Sequence, residues 1–547
     1  MHSAKTIFGA LVLFVLAGCT SLVATAPEKD KTYGITVLHT NDHHGRFWQN
    51  DDGEYGMSAR KTVIDSIRRE VSASGGYSLL LDGGDVNTGV PESDLQDAVP
   101  DFQGMNLLGY DAMAVGNHEF DKSPAVLKMQ RSLARFPMLS ANIYSRGARL
   151  FDAYKVFNLG GVRIAVIGLT TDDTRKMANP DNIRAIEFRN AIQEATQLVP
   201  EVRSKADVVI AATHMGHYEN GNHGTQAPGD VEMARAVTGI DLIVGGHTQN
   251  PACMEAENNL DRAYVPGAPC TPDRQNGTWI VQAHEWGKYV GRADFQYRNG
   301  DFRLVKYSLI PINLKRPVKG LDGIANLVNY TPEIAEDQDM LALLRPYRAF
   351  GQQKLLVDVG NSDARLEGDR ALVRSQPTTL GVLVAQAMMA RTGADLAIVN
   401  AGGVRDSLPG GRINYKDVLK VHPFGNTVVT LDLSGAELLD YLATAAKMSA
   451  GSGAFPQFAG VALTITSGGI RDARIQGNAI DPARVYRLAI NSFMAVGGDG
   501  YPRMDAHKSF VNTGFVDADV LRSFIASNSP LRAAAFEPGN SVTRTDR

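Results

Sequence analysis

The sequence predicts an α/β protein of two unequal domains joined by a helical connector. Three observations carry that expectation. The chain has 547 residues, more than a single hydrophobic core organises. Between residues 33 and 283 short apolar runs alternate with helical patterns, and one run after another ends in Gly, Asp, Asn, His or Gln. Such residues, just past the carboxyl ends of strands in an open α/β sheet, face the crevice where ligands bind. Beyond residue 330 a helical segment leads into a second set of patterns with glycine-rich polar loops.

The N-terminus reads as a targeting segment, with Lys5 as its positive region and Thr6 to Ala17 as its apolar stretch. That stretch is too short for a stable bilayer span. It ends in Leu16-Ala17-Gly18-Cys19, which looks like a bacterial lipobox with cleavage ahead of Cys19 and lipidation of that cysteine. Cleavage after Ala24-Thr25-Ala26 is the competing reading, and Pro27 is a poor residue after such a cut. Residues 1–18 are thus expected to be a lipoprotein signal peptide and 19–32 a polar tether. Acyl chains contribute about 0.8 kcal/mol per buried CH₂. A protein held by them is expected in the bacterial cell envelope, on the outer membrane, facing periplasm or exterior.

Ile35–Leu38 reads as a strand followed by His39-Thr40-Asn41-Asp42-His43-His44-Gly45. Asp42 and His44, two apart in an extended segment, point the same way and form a metal-ligand pair. A helical pattern from about Met57 to Val71 leads to a strand at Tyr77–Leu81, which ends in Asp82-Gly83-Gly84-Asp85. Paired glycines let backbone approach a metal or phosphate. The run Ala112–Val115 ends in Gly116-Asn117-His118-Glu119-Phe120-Asp121, with Asp121 close enough to orient His118. Further strands are expected at Arg163–Gly168, Asp207–Thr213 and Asp241–Val244, with helices near 190–204 and 230–237. Two of these strands end in Thr213-His214-Met215-Gly216-His217 and Gly245-Gly246-His247-Thr248-Gln249.

Eight of the twelve histidines lie between positions 39 and 247. A single strand-end histidine is more often a satisfied structural group than a ligand. Five strand ends that all carry such donors are hard to explain that way.

Strand and loop patterns continue through Thr278–Ala283, 286–290 and 304–307, closing a first domain at 33–330. Pro332 to Phe350 reads as a helix, with Ile334, Met340, Leu341, Leu343 and Leu344 as its apolar positions, and makes 331–355 the connector. The second domain, 356–547, has helical patterns at 378–391 and 435–447 and polar glycine-rich loops at 400–405 and 496–501. Composition is that of a soluble globular chain, 44% hydrophobic and 21% charged, with a net charge of −4. That balance lacks the basic field a nucleic-acid polymer requires as partner. In an oxidising compartment Cys253 and Cys270 are expected to form a disulfide closing a short loop.

The set Asp42-x-His44, Gly84-Asp85, Gly116-Asn117-His118-Glu119, His214 and Gly245-Gly246-His247-Thr248-Gln249 resembles the calcineurin-like metallophosphoesterases. With Gly497-Gly498-Asp499-Gly500-Tyr501-Pro502, the chain looks like the bacterial 5′-nucleotidase/UDP-sugar hydrolase family from about Tyr33 to Thr543. The resemblance implies a four-layer β-sandwich flanked by helices, followed by a substrate-binding α/β domain. It implies two divalent ions drawn from Zn, Mn, Co, Fe or Mg. One would take Asp42, His44, Asp85 and Gln249; the other would take Asp85, Asn117, His214 and His247, with Asp85 bridging. His118 and Asp121 match the catalytic dyad, whereas Glu119 has no counterpart role beyond a structural cap. Arg370, Arg374 and Arg405 match phosphate-binding arginines, and Phe424 and Phe493 the rings that sandwich the base. Asp499 would accept from ribose hydroxyls, with Asn400 and Asn426 as further contacts. The implied reaction is hydrolysis of nucleoside 5′-monophosphates, other nucleotides and UDP-sugars by a metal-activated water, in a monomer. A 2′,3′-cyclic nucleotide phosphodiesterase and a non-enzymatic nucleotide-binding lipoprotein are the alternatives. The latter predicts missing ligands, and none of the seven is missing.

Overall fold

Tyr33–Thr40 is buried at seven of its eight positions, the signature of a strand covered on both faces. It lies near the centre of a six-stranded sheet in the order Asp301–Pro311, Tyr289–Arg298, Tyr33–Thr40, Tyr77–Asp82, Ala112–Ala114, Met138–Leu139. The four strands from Tyr33–Thr40 onward are parallel, and Tyr289–Arg298 pairs with Tyr33–Thr40 antiparallel. A second six-stranded sheet runs Asp273–Gln275, Thr278–Val281, Leu242–Val244, Val208–His214, Val162–Thr170, Tyr154–Leu159. The computed structural model describes residues 26–178, 180–218, 227–256, 259–319, 325–539 and 541–545; the expected signal peptide and Cys19 lie outside them.

Strand periodicity decides how the layers stack. Val208 and Ile210 point into one core with Ile35, Val37, Leu79 and Leu81 of the first sheet. Val209 and Ala211 point the other way, onto Leu198 and Val202 of the helix Ala191–Arg203 and Val231 of the helix Asp230–Ala236. The helix Met57–Ala73 covers the outer side of the first sheet with Ile64, Ile67 and Val71. The result is the expected four-layer sandwich with helices outside. Cys253 and Cys270 are joined in a disulfide, as expected.

The connector differs from its sequence pattern. Its helix spans Gln338–Leu355, not Pro332–Phe350, because the Asp337 side chain accepts from Met340 N and caps it there. Ile334 precedes the helix, and its backbone N–H and C=O are taken up by the side chain of Asn313.

The second domain is built on a five-stranded sheet in the order Pro456–Ala459, Leu396–Asn400, Val485–Asn491, Thr427–Ser434, Val511–Val516. Helix Thr379–Thr392 packs on one face through Leu380 and Leu383, and helix Gly435–Ala446 on the other through Leu438 and Leu442. Among the described residues no helix is long and apolar enough to cross a membrane.

Candidate active site

Five strand ends, three from the first sheet and two from the second, meet at one point. Asp42 and His44 follow Tyr33–Thr40, Asp85 follows Tyr77–Asp82, and Asn117, His118 and Asp121 follow Ala112–Ala114. His214 ends Val208–His214, and His247 and Gln249 follow Leu242–Val244. The glycines of these motifs make the meeting possible. A Cβ on Gly83 would come within 2.6 Å of the Gly245 carbonyl, and one on Gly116 within 2.2 Å of Asp85 Oδ1. Turns from opposite sheets therefore touch backbone to backbone.

The donor atoms converge on Asp85. The triads His44–Asp85–His118 and Asp85–His214–His247 each bring their ligand atoms within 4.8 Å of one another. His44 Nδ1 lies 2.8 Å from the Thr88 carbonyl and His214 Nδ1 2.7 Å from the Gly83 carbonyl. Carbonyls only accept, so each Nδ1 carries a proton and each Nε2 presents its lone pair to the cluster. His214 Nε2 is 2.9 Å from Asp85 Oδ2, 3.2 Å from Asn117 Oδ1 and 3.2 Å from His247 Nδ1. The Gln249 side-chain amide donates from Nε2 to His44 Nε2 at 2.7 Å, and Asp42 Oδ1, 3.8 Å from the same ring nitrogen, is a buried atom with no hydrogen-bond partner. The acceptors crowded around His214 Nε2 repel unless a positive charge lies among them, so the donor set fits divalent ions. Burial lowers the His214 imidazole, but the Asp85 carboxylate more than offsets this and raises it to about 10. A proton and a metal ion are alternative occupants of that lone pair.

His118 turns its other nitrogen outward: Nδ1 is 2.5 Å from Asp121 Oδ2. Burial lowers its imidazole, and Asp121 and Asp85 together reverse the shift upward, favouring the cation. The structure thus places Asp121 where it can orient His118.

The second domain supplies the opposite wall of the cleft, which holds Arg370, Arg374, Asn400, Arg405, Phe424, Asn426, Phe493 and Asp499. Burial and the Arg370 charge lower both Arg374, well below its usual range, and Arg405, to about 10. Arg370, Arg374 and Arg405 line one wall of the cleft, and the Arg370 charge opposes those of the other two, an arrangement that suits an anion. Asn400 Nδ2 donates to Asp499 Oδ2 at 2.7 Å, and Asn491 Nδ2 donates to Asn400 Oδ1 at 2.8 Å. The Phe424 ring lies parallel to His118 across the domain boundary, with centroids 6.1 Å apart. The Arg370 guanidinium bonds the Gln249 side chain across the same boundary.

A model of the calcineurin-like phosphoesterases matches residues 35–251, and one of the 5′-nucleotidase C-terminal domain matches residues 358–506. The chain is similar to "Protein UshA" of Escherichia coli (strain K12), 56% identical over 539 residues, 97% of this chain and 98% of the relative. It is also 52% identical over 544 residues to the 5′-nucleotidase of Vibrio cholerae, covering 98% of each. The chain belongs to the 5′-nucleotidase family. Among solved structures, the 5′-nucleotidase precursor from Thermus thermophilus superposes with a TM-score of 0.75 at 28% identity, covering 94% of this chain and 100% of that one. The two family matches meet at the cleft: the first spans all five strand-end motifs, the second runs from Arg370 past Asp499.

Two features of this 5′-nucleotidase-family site escaped the sequence. Asp42, His44, Asp85, His247 and Gln249, five of the seven expected ligands, have φ between 51° and 78°, the left-handed region that non-glycine residues rarely adopt. Glu119, read as a cap, is fully buried and accepts from the backbone N–H groups of Asp85, Val86, Asn87 and Gly116. It clamps two of the strand-end turns together. A buried carboxylate inside a motif was the available signal, but its partners are set by the fold.

Proposed function

We propose that the protein hydrolyses nucleoside 5′-monophosphates to nucleoside and phosphate, and that other nucleotides and UDP-sugars are further substrates. The supporting observation is the pairing of two chemistries across one cleft: nitrogen and oxygen donors around Asp85 face three arginines, two phenyl rings and Asp499. Asp42, His44, Asp85 and Gln249 would hold one divalent ion, and Asp85, Asn117, His214 and His247 a second, drawn from Zn, Mn, Co, Fe or Mg. When bound, such ions supply Lewis acidity and lower the pKa of water.

The chain's own groups do the rest. Arg370, Arg374 and Arg405 bind the phosphate, whose negative charge relieves their mutual repulsion. Phe424 and Phe493 stack on the base, Asp499, held by Asn400, accepts from the ribose hydroxyls, and Asn426 adds a polar contact. His118, aligned by Asp121, meets the charge that develops on the phosphoryl oxygens and gives its Nε2 proton to the leaving 5′-oxygen. Phosphate release from a panel of nucleotides and sugar nucleotides, with each metal returned to stripped protein, tests this reading. Absence of metal-dependent release, or full activity in Asp85→Asn, refutes it.

We also propose lipidation of Cys19 and anchorage to a bacterial membrane. Cys19→Ser should then move the protein from the membrane fraction to the soluble fraction.

A further inference from the structure

Arg60 heads the large side chains that the protein encloses, at 1% exposure. It makes no direct ion pair with a carboxylate among the described residues; the buried carboxylates of Asp82 and Asp101 lie near enough to feel its charge, and the Tyr110 hydroxyl bonds it. Its Nη2 instead donates to His43 Nδ1 at 3.3 Å and, more weakly, to the Trp286 carbonyl at 3.5 Å. Room for it comes from Gly287, where a Cβ would come within 1.7 Å of Nη2.

A guanidinium donates and never accepts, so His43 Nδ1 must offer its lone pair. The single imidazole proton then sits on Nε2 and is donated to Asp101 Oδ1 at 2.8 Å, while the Ser93 hydroxyl donates to Asp101 Oδ2 at 2.5 Å. His43 stands between Asp42 and His44, whose φ values of 52° and 51° are left-handed. Trp286 N donates to the Asp42 carbonyl at 2.7 Å. One buried cation therefore reaches the strained segment directly through the His43 ring and, more weakly, by way of the Trp286 backbone.

We propose that Arg60 is a positioning residue for the metal centre. It fixes the tautomer and orientation of His43, and so holds Asp42 and His44 in the left-handed conformation that aims them at Asp85. This rests on the reading that Asp42 and His44 bind metal. Outer residues that orient ligands commonly contribute 10–100-fold in metal affinity.

The test is calorimetric titration of Zn²⁺ into stripped full-length protein carrying Arg60→Met, His43→Asn or both. Each single change is expected to weaken binding about 10–100-fold. The double variant should lose no more than the weaker single, because the pair acts as one unit. At saturating metal the KM for nucleotide should match wild type, a split that general loss of packing does not produce. Wild-type Zn²⁺ affinity in folded Arg60→Met, or losses that add in the double variant, overturns the proposal. Should Arg60→Met fail to fold, unchanged affinity in His43→Asn overturns it equally. Failure of the wild-type protein to bind Zn²⁺ refutes the metal reading itself, a different outcome.

Discussion

Glu119→Gln is expected to destabilise the first domain out of proportion to its single-atom change. Glu119 Oε2 accepts from Gly116 N at 2.7 Å and Asp85 N at 3.1 Å, and Oε1 from Val86 N at 2.8 Å and Asn87 N at 3.3 Å. A glutamine has one acceptor oxygen, so either rotamer turns its NH₂ toward two backbone donors. Each buried donor left unsatisfied costs about 1–3 kcal/mol, giving about 2–6 kcal/mol in total. That is a large share of the 5–15 kcal/mol that typically holds a protein folded. All three tryptophans, Trp48, Trp279 and Trp286, lie in the first domain, so urea denaturation followed by their fluorescence reads its stability directly. Because the clamp also positions Asp85, metal affinity of the variant should fall with stability. A midpoint shift equivalent to less than about 0.5 kcal/mol, the size of an ordinary surface substitution, would refute the reasoning.

Other perturbations separate the parts of the site. Burial lowers the His118 imidazole and Asp121 and Asp85 raise it further than that, so its cationic form persists above the ordinary value and is lost as pH rises through the raised one. Asp121→Asn should therefore shift the alkaline limb of the kcat/KM profile to lower pH and reduce kcat about 10²-fold; an unmoved limb contradicts the dyad. Phe424→Ala should raise KM for AMP by a stacking contribution of about 1–3 kcal/mol while leaving KM for ribose 5-phosphate, which has no ring to stack, unchanged; equal losses on both esters contradict a role in base recognition. Chelation should abolish turnover. Metal return should become less effective as pH falls, because protons compete for His214 Nε2, which Asp85 makes basic against the effect of burial.

Much of this site was legible because its chemistry sits at strand ends. Asp85, Asn117, His214 and His247 each follow an apolar run, and the parallel order of those runs forces their carboxyl ends to one side. The second wall was legible only through family resemblance. Phe424 and Phe493 look like core aromatics, and nothing local marks Arg374 as a member of a guanidinium cluster. Long-range partners stayed hidden for the same physical reason. The Gly83 turn is close-packed by the Gly245 turn 162 positions later, and no periodicity within either segment encodes that contact. The connector helix was misplaced at its start because a side-chain cap at Asp337 outweighs the apolar spacing that includes Ile334.

The contacts across the cleft bear on how substrate enters. Arg370 holds Gln249 and the Phe424 ring covers His118, so groups assigned to substrate already touch groups assigned to metal and catalysis. A nucleotide placed between base platform and phosphate site must break both contacts. Among the described residues two ion pairs also cross the boundary: Lys416 with Glu92 at 2.6 Å, their side chains 20% and 6% exposed, and Arg370 with Glu285 at 3.9 Å, 39% and 11% exposed. The longer and more exposed Arg370–Glu285 pair contributes about 1 kcal/mol or less. On the proposed function, a ligand that bridges both walls would add its own contacts to those that hold them together. Tight closure without substrate would block loading, whereas closure that substrate strengthens would hold the arginines over His118 and Asp121.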